Sequence, residues 1–171
     1  MKRIISILLL AACILMGCAS NTKDGVAFLE EGKYEEAIVC FEKDLEEEKN
    51  LDEAYRGMGI AYFEMENYQS AVEAFENALK NEAKENATIY SFLGAGYMQL
   101  DHYEKSLEYY SEALNQEDCT QEMKQEILFN EIAIYQEMGD WDIVKEKVAS
   151  YVENYPDDTR MDKTVEFLET R

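Results

Sequence analysis

Between Tyr55 and Leu79 the apolar and small side chains return at a helical interval. Tyr55, Met58, Gly59 and Tyr62 lie at offsets 0, 3, 4 and 7, which places them on one face of a helix. A polar break at Glu66-Asn67 follows, and Tyr68, Ala71, Val72, Phe75, Ala78 and Leu79 then resume the rhythm. The spacing predicts two amphipathic helices joined by a short turn, with Gly59 and Ala71 small enough to let them approach closely.

The pattern recurs 34 residues earlier and 35 later, so that Gly25, Gly59 and Gly94 correspond, as do Phe28, Tyr62 and Tyr97. On the second helices Tyr34, Tyr68 and Tyr103 align, then Ala37, Ala71 and Ser106, then Phe41, Phe75 and Tyr110. A copy displaced by 38 places Tyr135, Trp141, Val144, Val148, Val152 and Pro156 in the matching positions, which assigns Trp141 to the core. The segment Glu46 to Asn50 reads as a solvated helix end, and Asn86 as an N-cap. Residues Asp118 to Lys124 hold about four extra positions, either a pivot before the last repeat or one more helical turn. Beyond Pro156, Met161, Val165 and Leu168 at offsets 0, 4 and 7 predict a last helix that covers the end of the array.

These steps resemble the tetratricopeptide repeat, a helix-turn-helix unit of about 34 residues with an aromatic, a Leu-Gly pair, a Tyr, an Ala, a Phe and a small residue at fixed places. The third copy keeps them as Tyr90, Leu93-Gly94, Tyr97, Ser106, Tyr110 and Ala113, and the second as Tyr55, Met58-Gly59, Tyr62, Ala71, Phe75 and Ala78. Departures lie in the end copies: Asn21, Asp24 and Asp44 in the first, Glu131-Ile132 in the fourth. The resemblance implies an all-α fold, a right-handed solenoid of about four repeats (residues 18–51, 52–85, 87–120 and 125–158) with a capping helix at 159–171.

Residues 1–17 stand outside this pattern. Met1-Lys2-Arg3 precedes an apolar run from Ile4 to Met16, and Leu15-Met16-Gly17-Cys18 ends it. At about 1.5 Å per residue the run makes roughly 20 Å of helix, short of the ~30 Å hydrocarbon core, so a permanent span is disfavoured. The segment resembles the signal peptide of a bacterial lipoprotein with Cys18 as the lipidated residue. Leu10-Ala11-Ala12-Cys13 fits the same pattern and leaves Cys13 as the alternative. The resemblance implies a palmitate-bearing protein on the extracytoplasmic side of a cell membrane or cell envelope.

Charge narrows the partners. The chain carries 37 acidic and 16 basic residues, a net charge of −21, and removing Lys2 and Arg3 with a signal peptide leaves 14 basic residues and −23. Such a surface repels phosphate backbones, which argues against nucleic acid as a ligand. Cys40 and Cys119 are expected too far apart to bridge, Cys40 as a partly buried helix residue and Cys119 as a junction thiol. The lone His102 sits in a turn beside Asp101, without the spacing of a metal site or catalytic dyad. Catalytic, metal-binding and cofactor-binding residues are therefore read as none, and the chain as no enzyme. An enzyme would need a site assembled from scattered carboxylates.

The resemblance also implies where a partner docks. In such repeats the uncommitted steps of the first helices line the inner surface; here they are Val26 and Leu29, then Arg56, Ile60 and Phe63, then Ser91, Ala95 and Met98, then Phe129, Ala133 and Gln136. This mixed apolar lining suits a protein or peptide ligand. The Lys and Asn clamp that some members use for a C-terminal carboxylate is not matched, since its steps hold Arg56 with Ile60, Ser91 with Ala95, and Phe129 with Ala133. The first expectation is a lipid-anchored adaptor at the envelope. The alternative is self-association, with the groove of one copy receiving Met161, Val165 and Leu168 of another.

Overall fold

The structure is a computed structural model that describes residues 21–81, 83 and 86–170. The proposed signal segment 1–17 and both candidate lipidation residues, Cys13 and Cys18, lie outside the described residues. Among the described residues the architecture is all-α, with nine α-helices and no strand. They run as α1 (Asn21–Glu30), α2 (Tyr34–Glu46), α3 (Leu51–Glu64), α4 (Tyr68–Lys80), α5 (Ala87–Gln99), α6 (Tyr103–Leu114), α7 (Gln121–Met138), α8 (Trp141–Asn154) and α9 (Asp162–Glu169), the last preceded by a 3-10 turn, Thr159–Met161. Helices α1/α2, α3/α4, α5/α6 and α7/α8 pair as hairpins, and each first helix also packs on the hairpin before it.

Local chemistry sets the helix limits. Asn67, Asn86 and Thr120 accept the amide protons of Ser70, Ile89 and Met123 through their side chains, satisfying donors that a helix start leaves open. Gly139 ends α7 with φ +78°, a left-handed turn that suits glycine. The additional residues before the fourth repeat extend α7 to 18 residues, so they add helix to the repeat.

Burial is distributed along the array in three apolar clusters: α1 to α4 around Phe41, α4 to α7 around Phe75, Leu93 and Tyr110, and α7 to α9 around Ile132 and Val148. The helices of each hairpin meet where a glycine faces a ring. A Cβ on Gly25 would come within 2.7 Å of Phe41, one on Gly59 within 2.9 Å of Phe75, and one on Gly94 within 2.5 Å of Tyr110. Ser106, fully buried where the first two repeats hold alanine, donates its hydroxyl to the Gly94 carbonyl at 2.6 Å. The fourth repeat meets the same spatial constraint with other side chains, Ile132 in the glycine position and Val148 in the ring position.

The unusual polar residues of the end repeats are paired. Asp44, buried where the second and third repeats hold alanine, accepts the Thr22 hydroxyl at 2.5 Å, and Thr22 in turn accepts from Asn50 at 2.9 Å. Glu131, in the place of Leu93, is buried and accepts from Lys147 at 2.7 Å. Two expectations are corrected. Trp141 is 39% exposed and packs on Phe167 at 5.1 Å between ring centroids, because the eight-residue α9 covers only part of it. Cys40 is fully buried, whereas Cys119 is a half-buried free thiol.

Candidate peptide-binding groove

Three successive first helices, α1, α3 and α5, lie side by side and enclose a cleft of about 400 Å³. Thr22, Val26 and Leu29 of α1 form one wall, and Glu53, Arg56, Gly57 and Ile60 of α3 the other. Asn86, Thr88 and Asp118 close one end. The helical interval explains the arrangement, since Val26 and Leu29 are three apart and Glu53, Arg56 and Ile60 are spaced by three and four, each set presenting one face. Gly57 contributes a gap. A Cβ there would stand 2.3 Å from the Phe41 ring, so the close contact of α3 with α2 excludes a side chain from the cleft floor at this point.

The polar end is fixed by capping bonds. Asp118 accepts the Ala87 amide at 3.0 Å and Asn86 accepts the Ile89 amide at 2.9 Å, so both side chains serve the α5 N-terminus while bordering the cleft. Arg56 is exposed and, among the described residues, is the one cation of the lining, without an ion pair to any of them. The cleft thus offers an apolar strip, Val26, Leu29 and Ile60, flanked by one guanidinium and two carboxylates. Val26 is 45% exposed.

Of the positions expected to meet a partner, Val26, Leu29, Arg56 and Ile60 come together in this cleft. The others are placed differently. Phe63 is half-buried between Tyr68 and Phe92, with ring centroids 5.3 and 5.1 Å away in edge-on contact. Ser91 is half-buried on α5, and Met98 packs against the central cluster. Phe129 is overlaid by the Arg160 guanidinium, 4.1 Å from its ring centroid, and Gln136 donates to the Thr164 hydroxyl at 3.2 Å. The chain's own C-terminal segment therefore occupies the groove positions of the fourth repeat. Sequence reasoning missed Thr22, Glu53, Thr88 and Asp118. Glu53 could have been found from its spacing to Arg56, but Asp118 reaches the cleft from an inter-repeat connection that no periodicity positions.

A second polar cluster joins α4, α5 and α6. Glu76 accepts the Tyr97 hydroxyl at 2.5 Å and Lys105 at 2.9 Å, while Lys105 lies over the Tyr97 ring, 4.0 Å from its centroid. Burial alone would raise the Glu76 carboxyl, yet the bonds from Tyr97 and Lys105 outweigh it and hold the group below its ordinary range. Burial pushes the neighbouring Tyr109 hydroxyl up to about 12. Every partner in this cluster is already engaged, which makes it a brace between the second and third repeats. Among the described residues no group of three or more His, Cys, Asp or Glu is placed to hold a metal ion, and no helix is long and apolar enough to cross a membrane.

Comparison with known proteins agrees with this geometry. Residues 56–121 match the tetratricopeptide repeat family model. No curated protein matches the chain. Among solved structures, YrrB, a TPR protein with an unusual peptide-binding site, is similar over 82% of this chain and 70% of its own, with a TM-score of 0.68 and 24% identity. MamA from Desulfovibrio magneticus RS-1 is similar over 81% of this chain and 76% of its own, with a TM-score of 0.68 and 20% identity. PilF of Pseudomonas aeruginosa is similar over 88% of this chain and 65% of its own, with a TM-score of 0.65 and 16% identity. At these identities the likeness is one of fold, and no enzymatic family is indicated. The family match is thus carried by residues 56–121, and the chain as a whole has the all-α helical-repeat fold of tetratricopeptide solenoids.

Proposed function

We propose that this protein is a lipid-anchored adaptor that holds a protein or peptide partner at the bacterial cell envelope, with the cleft between α1, α3 and α5 as its docking surface. The observation that carries the reading is the convergence of Val26, Leu29, Ile60 and an unpaired Arg56 in one cleft on the first-helix face. The polar end beside Asn86, Thr88 and Asp118 suits the backbone of an extended segment, and the apolar strip suits one or two of its side chains. YrrB supplies an instance of a peptide-binding protein with a related fold. The anchor rests on the sequence alone, namely the basic start, the apolar run to Met16 and the cysteine that ends it. More than one acyl chain on Cys18 would keep the repeats at the membrane surface stably, where a single chain binds marginally.

Two experiments test the two halves separately. Selection from a displayed peptide library on residues 19–171 should enrich sequences whose binding is lost in Ile60→Asp and weakened in Arg56→Glu, with helical circular dichroism unchanged. Enrichment that survives both substitutions places the docking surface elsewhere. Labelled palmitate supplied to cells producing the full chain should enter the protein and be absent from Cys18→Ala. Label retained in Cys18→Ala and lost from Cys13→Ala moves the anchor to Cys13, and no label in either removes it.

A further inference from the structure

Among the described residues the last helix, α9, stands in the place of a first helix. Helix α9 packs on α8 and, through Thr164, on Gln136 of α7, as each first helix packs on the hairpin before it, but no second helix follows it among the described residues. Between α8 and α9 a cleft of about 480 Å³ remains, floored by Val148, Ala149, Val152, Val165 and Leu168. The repeat register shows what is uncovered. Val152 corresponds to Leu45, Leu79 and Leu114, all half-buried against the following repeat, whereas Val152 is 37% exposed. Lys145 stands where the inner repeats hold Ile38, Val72 and Leu107.

The charges on this cleft identify its occupant. Lys145 on the α8 side and Glu169 on the α9 side both border the apolar strip, and neither makes an ion pair with a described residue. A patch with one unpaired cation and one unpaired anion on opposite walls is complementary to itself under two-fold rotation, which brings each Lys145 to the other copy's Glu169. We infer that the α8–α9 end face is a self-association surface, occupied by the same face of a second copy. Notably, the arrangement differs from insertion of Met161, Val165 and Leu168 into a partner's groove, because Met161 is buried in its own chain.

Size and charge set the strength. Fourteen residues of α8 extend about 21 Å and eight of α9 about 12 Å, and side by side they give a face of roughly 330 Å², under half the usual ~800 Å² per partner. Residues 19–171 also carry 14 basic and 37 acidic residues, a net charge of −23, a long-range repulsion that physiological salt largely screens. The dimer is therefore weak, and local crowding on a membrane would populate it.

Sedimentation equilibrium of residues 19–171, which contain every described helix, tests this at about 0.1 to 1 mM protein and physiological ionic strength. A monomer–dimer equilibrium is expected. Val152→Asp, Lys145→Glu and Glu169→Lys should each weaken it at least about tenfold without loss of helical signal. An equimolar mixture of the Lys145→Glu and Glu169→Lys chains should associate again, since each then meets its opposite charge at both contacts. A native chain that stays monomeric throughout, or a dimer indifferent to these substitutions, overturns the inference. Failure of the mixture to associate overturns the two-fold arrangement. None of these outcomes bears on the α1–α3–α5 cleft.

Discussion

Gly94 lies directly beneath the ring of Tyr110, so that a Cβ on the glycine would fall 2.5 Å from Tyr110 Cδ1. Gly25 with Phe41 and Gly59 with Phe75 repeat the relation, and Ile132 with Val148 replaces it by a large residue opposite a small one. Interiors are packed too densely for both partners to be large. Gly59→Ala should therefore destabilise the protein by about 1 to 3 kcal/mol through overpacking, and Phe75→Ala by about 3 to 5 kcal/mol through the cavity it leaves. The double change Gly59→Ala with Phe75→Leu should cost less than the sum of its single changes, as contacting sites do. Urea denaturation of the native chain, Gly59→Ala, Phe75→Leu and the double variant checks it; strict additivity would mean that the two side chains do not share the space.

The Glu131–Lys147 pair substitutes for an apolar contact. Glu131 is buried at the position of Leu93, and Lys147 at 2.7 Å satisfies its charge. Lys147→Met alone leaves that carboxylate unpaired and should destabilise by about 1 to 3 kcal/mol. Glu131→Leu in the Lys147→Met background should recover most of the loss, because two well-packed apolar residues replace such a pair at little net cost. Thermal unfolding of both variants checks the order, which an equally unstable double variant would reverse.

Asp158 ties the C-terminal segment down. Its carboxylate accepts from Arg160 at 2.8 Å, from Tyr151 at 2.5 Å and from Gln125 at 2.7 Å, and the Arg160 bonds first, then Tyr151, hold it well below the usual carboxylate range. A depressed folded-state pKa gives a contribution that is complete above the unfolded value, about 3.9, and fades as pH falls below it. Docking of α9 should thus loosen in acid before the inner repeats unfold. Trp141, the sole tryptophan, rests on Phe167 of α9 and reports the event by fluorescence. The native chain should show an emission change below about pH 4. Asp158→Asn should carry the altered emission already at neutral pH; identical pH profiles would detach Asp158 from the cap.

Much of the fold was legible because burial imposes it on the sequence. Gly59, Tyr62, Ala71 and Phe75 recur with their counterparts since each hairpin solves the same packing problem, and the periodicity of those solutions predicts the helices. The ends were harder to read. Trp141 matches Tyr68 in register, yet its exposure depends on how α9 packs beside it, which periodicity does not encode. The groove was half legible. Val26, Leu29, Arg56 and Ile60 follow from helical spacing, whereas Phe129 and Gln136 are covered by Arg160 and Thr164 through a tertiary fold-back. Asp118 enters the cleft by capping another helix, a contact set by loop geometry.

The central claim is that the cleft between α1, α3 and α5 receives a peptide. Nuclear magnetic resonance shift mapping of isotopically labelled residues 19–171, titrated with a library-selected peptide, tests it most directly. The account expects saturable shifts centred on Val26, Leu29, Arg56, Ile60 and Thr88, absent in Ile60→Asp. Shifts confined to α8 and α9, or to the Glu76–Tyr97–Lys105 brace, would contradict it.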